Sequence, residues 1–242
     1  MPLAYSMKFT HLHVHSHYSL LDGLTKIDEL IQKAKDEGCD SLAITDHGVM
    51  YGAIEFYQKC KKAGIKPIIG VEAYLAPGSR LDKNVKADER NYHLVLLAKD
   101  NTGYRNLIKL TTIAHLEGFY YKPRIDWEVL SKHKEGLIAL TACLAGEIPK
   151  LITSDKPDKA KKRILEYAEL FGPGNFYLEL QSHPNLENQA KVNQALIGFS
   201  RELNLPLVAT NDIHYLNKDD DEAQDVLLCL QTKKKKEDRD RM

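Results

Sequence analysis

The chain has 242 residues, 43% of them hydrophobic and 28% charged, with 34 Lys plus Arg balancing 34 Asp plus Glu. That length allows one large domain or two small ones, and the composition excludes disordered and fibrous classes. Zero net charge argues against a domain held to nucleic acid by its bulk field alone, although metal ions can supply local positive charge at a nuclease site.

Segments rich in β-branched and large apolar residues recur, most followed by a helical pattern. The first predicted strand is Phe9 to His15, then a helix over Thr25 to Glu37 closed by Gly38. A second strand, Ser41 to Thr45, precedes a helix over Ala53 to Ala63 that ends at Gly64. Lys66 to Leu75 is the third, turned by Pro77-Gly78, and the polar stretch Ser79 to Asn91 reads as a loop or hairpin tip. His93 to Ala98 is the fourth strand, with a helix from Tyr104 to Glu117. Leu137 to Ala142 is the fifth, followed by helices over Ile148 to Ile152 and Lys159 to Phe171. Phe176 to Gln181 is the sixth, with a helix over Asn188 to Leu203; Leu207 to Thr210 is the seventh, and Asp221 to Gln231 is the last helix. Such alternation predicts an α/β fold with a mostly parallel sheet, and seven units favour a closed or nearly closed barrel.

No secretory signal is legible at the start, and the longest apolar runs, such as 136–142, are far too short to span a bilayer. Cys39, Cys60, Cys143 and Cys229 form no CxxC pair and no disulfide-type spacing. A soluble, reduced, cytoplasmic protein without a membrane partner is expected. Cys39, Cys60 and Cys229 read as packing thiols. Trp127 and the Phe119-Tyr120-Tyr121 cluster could stack bases, but an aromatic-pinned surface loop is the commoner use. The lysine run 233–236 reads as a solvated end.

The strongest local signal is His11-Leu12-His13-Val14-His15-Ser16-His17. On a strand, alternate residues share a face, so the four imidazoles are expected on one side, where a metal suits them better than packing does. More ligand-type residues stand where later strands end: Asp46-His47, Glu72, Cys143, and Asp212 with His214. In a parallel barrel those ends share a rim. His93 opens its strand and would lie at the wrong end unless that strand runs antiparallel, which is therefore expected. So many ligands imply several metal ions and hydrolysis of a phosphoester, with a metal-held hydroxide as nucleophile.

The segments HLHVHSHYSLLDG, AITDHG, GVEAY, YHLVLLAKDNTGYRNL, EGLIALTACLAGEI, FYLELQ and VATNDIHY together resemble the polymerase and histidinol phosphatase (PHP) family. Within it they resemble specifically the domain that opens bacterial replicative DNA polymerase alpha subunits. The resemblance runs from Lys8 to Met242 and implies a distorted seven-stranded (β/α) barrel of the PHP type with a metal site at one rim. It implies a barrel domain over 8–232, with 1–7 a leader or disordered start and 233–242 a charged tail at a junction to the polymerase.

The family's ligand pattern maps onto His13, His15, Asp22, His47, Glu72, His93, Cys143, Asp212 and His214, which would hold up to three divalent metals: Zn, Mn or Fe. Asp22 and His47 would support the attacking hydroxide. Cys143 departs from stand-alone phosphatases of the family, which tend to place His there, and the lysine run departs from the glycine-containing segment expected of the polymerase branch. The implied activity is 3′–5′ exonuclease proofreading on a DNA 3′ end, with Lys122, Arg124 and His183 as candidates to hold phosphate or sugar. Implied partners are the rest of the polymerase alpha chain and a separate exonuclease subunit. Two alternatives remain at this stage: a metal-stapled docking module, and a small-molecule phosphatase of the histidinol phosphatase kind.

Overall fold

A computed structural model describes residues 9–83 and 91–238. The expected leader (1–7), most of the polar loop (84–90) and the last tail residues (239–242) lie outside the described residues. Among the described residues, no helix is long and apolar enough to cross a membrane.

The first helix, α1 (Ile27–Asp36), buries Ile27, Leu30, Ile31 and Ala34 at helical spacing and ends before Gly38, whose φ of 76° suits a residue without Cβ. β1 (Ser41–Ile44) and α2 (Ala53–Ala63) follow, α2 ending on left-handed Gly64. β2 (Lys66–Leu75) pairs parallel with β1, and β3 (Tyr92–Ala98) returns antiparallel along β2. α3 (Asn101–Leu116) starts three residues earlier than its periodicity predicts, because the Asp100 side chain accepts the Gly103 N–H as a cap.

Two short elements escape the sequence pattern: β4 (Arg124–Ile125), parallel to the end of β2, and α4 (Trp127–Lys132), capped by Asp126. β5 (Leu137–Leu140), α5 (Glu147–Thr153), α6 (Pro157–Phe171), β6 (Phe176–Gln181), α7 (Glu187–Leu203), β7 (Leu207–Thr210) and α8 (Asp221–Thr232) complete the chain. Lys233 closes α8 in the left-handed region, and the Lys236 ammonium lies 3.1 Å from Glu222.

The sheet order is β1-β2-β3-β5-β6-β7. Its closure comes from the first described residues, but not as the regular strand expected over Phe9 to His15. That segment makes isolated bridges only, at His11 with Leu42 and Val14 with Ile213. Ala43 N–H donates to His11 and Thr45 N–H to Val14 on one side; His15 N–H donates to Ile213 on the other. Part of the bonding is also taken by a side chain, since the Thr45 hydroxyl accepts the Val14 N–H at 2.8 Å. The outcome is a distorted barrel. Inside it Ala43, Val95, Leu97, Leu140 and Ala142 pack together. Outside, α3 to α7 cover one flank of the sheet, with Leu94, Leu96, Leu107, Leu178 and Ile164 at the contact, and α1 and α2 cover the other.

Candidate metal centre

The pleat decides which residues look into the barrel. In the β2–β3 ladder Glu72 pairs with Val95 and Tyr74 with His93, so these four share the inner face, with Val95 part of the apolar plug. β3 is antiparallel, as expected, and this brings His93, at its start, to the rim where β1 and β2 deliver His47 and Glu72.

All nine ligand-type residues meet at that rim. Glu72 Oε2 lies 3.2 Å from His13 Nε2, 3.0 Å from His15 Nε2 and 2.9 Å from His47 Nδ1. Asp212 Oδ1 lies 3.2 and 3.3 Å from the same His13 and His15 nitrogens. Asp22 Oδ2 is 2.7 Å from His47 Nε2 and 3.4 Å from His214 Nε2. His93 Nδ1 is 2.9 Å from Glu72 Oε1, and Cys143 Sγ lies 3.7 Å from that nitrogen. The donor atoms form three overlapping nests, His13-His15-Glu72-Asp212, His15-His47-His214 and His47-Glu72-His93, each within 4.8 Å.

These contacts are close, yet His13 Nε2, His15 Nε2, His47 Nδ1, Glu72 Oε2 and Asp212 Oδ1 are all buried without a hydrogen-bond partner among the described residues. The atoms aim at shared points rather than at one another. Buried polar atoms are seldom left so, and convergent imidazole and carboxylate donors are what divalent cations fill. The residues therefore fit a metal cluster.

Orientation is set from behind. His15 Nδ1 lies 2.9 Å from the Ser19 hydroxyl, which accepts from it, takes the His47 N–H at 3.1 Å and donates to Asp46 at 2.8 Å. Asp46 also accepts the Ser16 N–H and hydroxyl, pinning the 16–19 turn. His214 Nδ1 points at the Asp212 carbonyl at 2.9 Å. Three non-glycine residues with positive φ stand at the cluster: Leu21 before Asp22, Ala142 before Cys143, and Asp212 itself. Left-handed backbone at such residues is costly and gathers at functional sites.

Electrostatics follow from burial and crowding. Burial opposes ionisation of Glu72, but His93, His13 and His47 hold its carboxyl well below the usual carboxylate range. Burial likewise opposes the charge on His47, yet Glu72 and Asp22 push it up to about 10. The Cys143 thiol is pushed up, first by burial and then by Glu72 and Asp212, so a nearby cation is what would make it a thiolate.

Some expectations need correction. The four alternating histidines do not share a face. Only His13 and His15 enter the cluster. His11 Nε2 faces Glu37 at 3.6 Å near the start of β1, and the His17 ring lies tilted against Tyr18, centroids 4.3 Å apart, after the chain has turned. Alternation fails because the segment is not a regular strand. Arg124 is no surface phosphate ligand either. It is 1% exposed, and its guanidinium donates to the carbonyls of Gly118, Arg80 and Asp82. Lys122 is exposed, its ammonium 5.3 Å from the ring centre of Tyr74, which packs on His47 and His93. His183 is half-buried just past the end of β6, which carries Gln181 to the His13 ring. Sequence reasoning passed over Ser19, Tyr74 and Glu179, and grouped Asp46 with the ligand-type residues where the structure uses it to pin the 16–19 turn; the alternation in FYLELQ, which sets Tyr177, Glu179 and Gln181 on one face, was the available signal for Glu179.

The chain matches the PHP domain family over residues 11–183. It is 51% identical over 241 residues to DNA polymerase III subunit alpha of Borreliella burgdorferi, a match covering 99% of this chain and 21% of that protein. With DNA polymerase III subunit alpha of Thermus aquaticus it is 48% identical over 239 residues, covering 97% and 19%. The chain thus spans about a fifth of the length of these curated relatives. Among solved structures, an amidohydrolase from Chromobacterium violaceum with bound sulfate superposes with a TM-score of 0.56 at 16% identity, covering 85% of this chain and 87% of that one. A two-domain protein from Bacteroides vulgatus, described as containing a predicted PHP-like metal-dependent phosphoesterase, gives 0.50 at 15% identity over 88% and 55%. Barrel topology, rim cluster and sequence match agree, and the chain belongs to the PHP domain family.

Proposed function

We propose that this chain is the PHP domain of a bacterial replicative polymerase alpha subunit and that it hydrolyses phosphodiester bonds at a DNA 3′ end. The observation that carries the reading is the convergence of unpartnered imidazole and carboxylate atoms at one rim. His13, His15, Asp22, His47, Glu72, His93, Cys143, Asp212 and His214 would hold up to three divalent ions (Zn, Mn or Fe). Bound there, such ions would lower the pKa of water and neutralise phosphate charge. The chain's own part is geometric and electrostatic. Asp22 bridges His47 and His214, Glu72 joins His13, His15, His47 and His93, and burial excludes bulk water. Exposed Lys122, its ammonium over the Tyr74 ring, would meet a phosphate oxygen, and His183, beyond the β6 end, would hold phosphate or sugar. Expected partners are the rest of the alpha chain and a separate exonuclease subunit.

One observation favours a second role. The barrel closes through isolated bridges at residues 9–15, and two ligands, His13 and His15, stand on that segment. Metal bound there would also staple the closure and stiffen a docking platform.

The test is elemental analysis of the purified chain together with digestion of 3′-labelled single-stranded DNA, using an Asp22→Ala, His47→Ala double variant as control. Bound metal with digestion that the double variant lacks supports hydrolysis. Metal without digestion leaves the staple role alone. A chain that takes up neither Zn nor Mn sinks the metal-centre reading. Turnover of a small phosphomonoester in preference to DNA favours the small-molecule phosphatase.

A further inference from the structure

Glu179 stands one step behind the cluster. Its residue is 2% exposed, on the inner face of β6, with Val208 opposite it on β7. Its backbone N–H donates to the Thr141 hydroxyl at 2.8 Å, which ties it to the end of β5. One oxygen, Oε1, receives three side chains: His13 Nδ1 at 2.8 Å, Gln181 Nε2 at 3.0 Å and the Thr210 hydroxyl. Two of those three, from Gln181 and Thr210, hold the oxygen as an acceptor whatever His13 does.

The consequence runs through the imidazole. An oxygen already held as an acceptor can only take the Nδ1 hydrogen from His13, and a neutral ring then presents Nε2 as a lone pair. That nitrogen lies 3.2 Å from both Glu72 Oε2 and Asp212 Oδ1, and none of the three atoms has a hydrogen-bond partner among the described residues. With the ring neutral, three lone pairs meet at that distance, and their repulsion is relieved by a positive charge among them, either a proton on His13 Nε2 or a metal ion that replaces it. His15 and His214 are also oriented through Nδ1, but by neutral acceptors, the Ser19 hydroxyl and the Asp212 carbonyl. Of these three imidazoles, His13 is the one backed by a carboxylate, and a carboxylate behind a metal-bound imidazole both fixes its tautomer and strengthens it as a donor.

We infer that Glu179 is the positioning residue of the cluster: it fixes His13 with Nδ1 carrying the hydrogen, and the His13-His15-Glu72-Asp212 nest depends on it for its hold on a divalent cation. This rests on the metal-centre reading above. Gln181 and Thr210 complete the arrangement by keeping the Glu179 oxygen in place.

The experiment compares Zn2+ binding by the wild-type chain and Glu179→Gln, by competition with a chromophoric chelator, alongside circular dichroism. Gln keeps the size and the accepting oxygen while removing the charge. Glu179→Gln is expected to keep the wild-type spectrum and to weaken the tightest Zn2+ step about 10- to 100-fold, the usual cost of losing such a supporting partner. In the zinc-loaded wild type, long-range 15N–1H spectra of the histidine rings should show His13 bound through Nε2 with hydrogen on Nδ1. Equal affinity in both chains, or His13 bound through Nδ1, overturns the inference about Glu179 alone. If Glu179→Gln does not fold, the ring spectrum of the wild type still decides. A wild-type chain that takes up no divalent cation overturns the metal-centre reading itself, and this inference with it.

Discussion

Tyr74 and His93 face each other directly across the antiparallel β2–β3 pair, with ring centroids 5.2 Å apart and planes at 80°. This pairing explains how a residue at the start of a strand reaches a rim built from strand ends. It also makes His93 a ligand-type residue whose removal should leave the barrel standing, because the Tyr74 ring and the rest of the ladder remain. His93→Ala is expected to melt within a few degrees of wild type and to lose about one bound ion per chain, the share held with Glu72 and His47. Elemental analysis after gel filtration checks it; full metal content would remove His93 from the ligand set.

Metal uptake should be strongly pH-dependent. In the metal-free chain His47 is pushed up to about 10 by Glu72 and Asp22, against the effect of burial. Its folded pKa exceeds the unfolded value of 6.5, so its protonation stabilises the metal-free chain fully below pH 6.5. That contribution is lost as pH rises from 6.5 through about 10. A cation must displace the same proton. Titration with Zn2+ in weakly buffered solution at neutral pH should therefore release at least one proton per chain on the order of the bound metal. Melting of the EDTA-treated chain should fall towards alkaline pH while apparent metal affinity rises.

Arg124 is an internal brace. Its guanidinium donates to the carbonyls of Gly118, Arg80 and Asp82 at 3.0, 2.8 and 2.8 Å, gathering two loop segments around β4. Arg124→Met should cost about 2–4 kcal/mol, chiefly from the two buried carbonyls of Gly118 and Arg80 left without this donor. Urea denaturation measures the loss. Bound metal and any DNA digestion by the remaining folded chain should match wild type, whereas a phosphate-binding role would show as lost activity at full stability.

Gly23 sits where a Cβ would lie 2.1 Å from the Ser16 carbonyl oxygen. No side-chain adjustment relieves a clash with backbone, so Gly23→Ala must shift the 16–23 turn that presents Asp22 to His47 and His214. A loss of about 1–3 kcal/mol is expected, with lowered metal content. Gly78, where an added Cβ meets nothing within 4 Å, is the control: Gly78→Ala should leave both unchanged.

Much of this was legible in the sequence. β1, β2, β6 and β7 carry apolar runs of strand length between clear turn signals, and α1, α2 and α7 bury residues at helical spacing. The cluster was legible because metal ligands are chemically distinctive and stand next to strand ends. What escaped has physical reasons. β4 has two residues and α4 six, too short for any period to emerge. Residues 9–15 bond to two neighbours at once through isolated bridges, and so lose the alternation that would have put His11 and His17 beside His13. Arg124 reads as a loop cation because sequence does not reveal that three carbonyls surround it. Glu179 drew no reading, because its strand does not reveal in sequence that the inner face of a barrel hides it beneath the rim.

Closure by residues 9–15 against Ile213 also fixes an order of events during synthesis. His13 and His15 leave the ribosome well before their partners, since the Val14–Ile213 bridge and the contacts with Asp212 join positions some two hundred residues apart. At elongation rates of about 5–20 residues per second these histidines wait on the order of 10–40 s for those partners to be made. The centre is thus completed only after Asp212 and His214 are made, and a bound metal would report that residues 9 to 214 have come together.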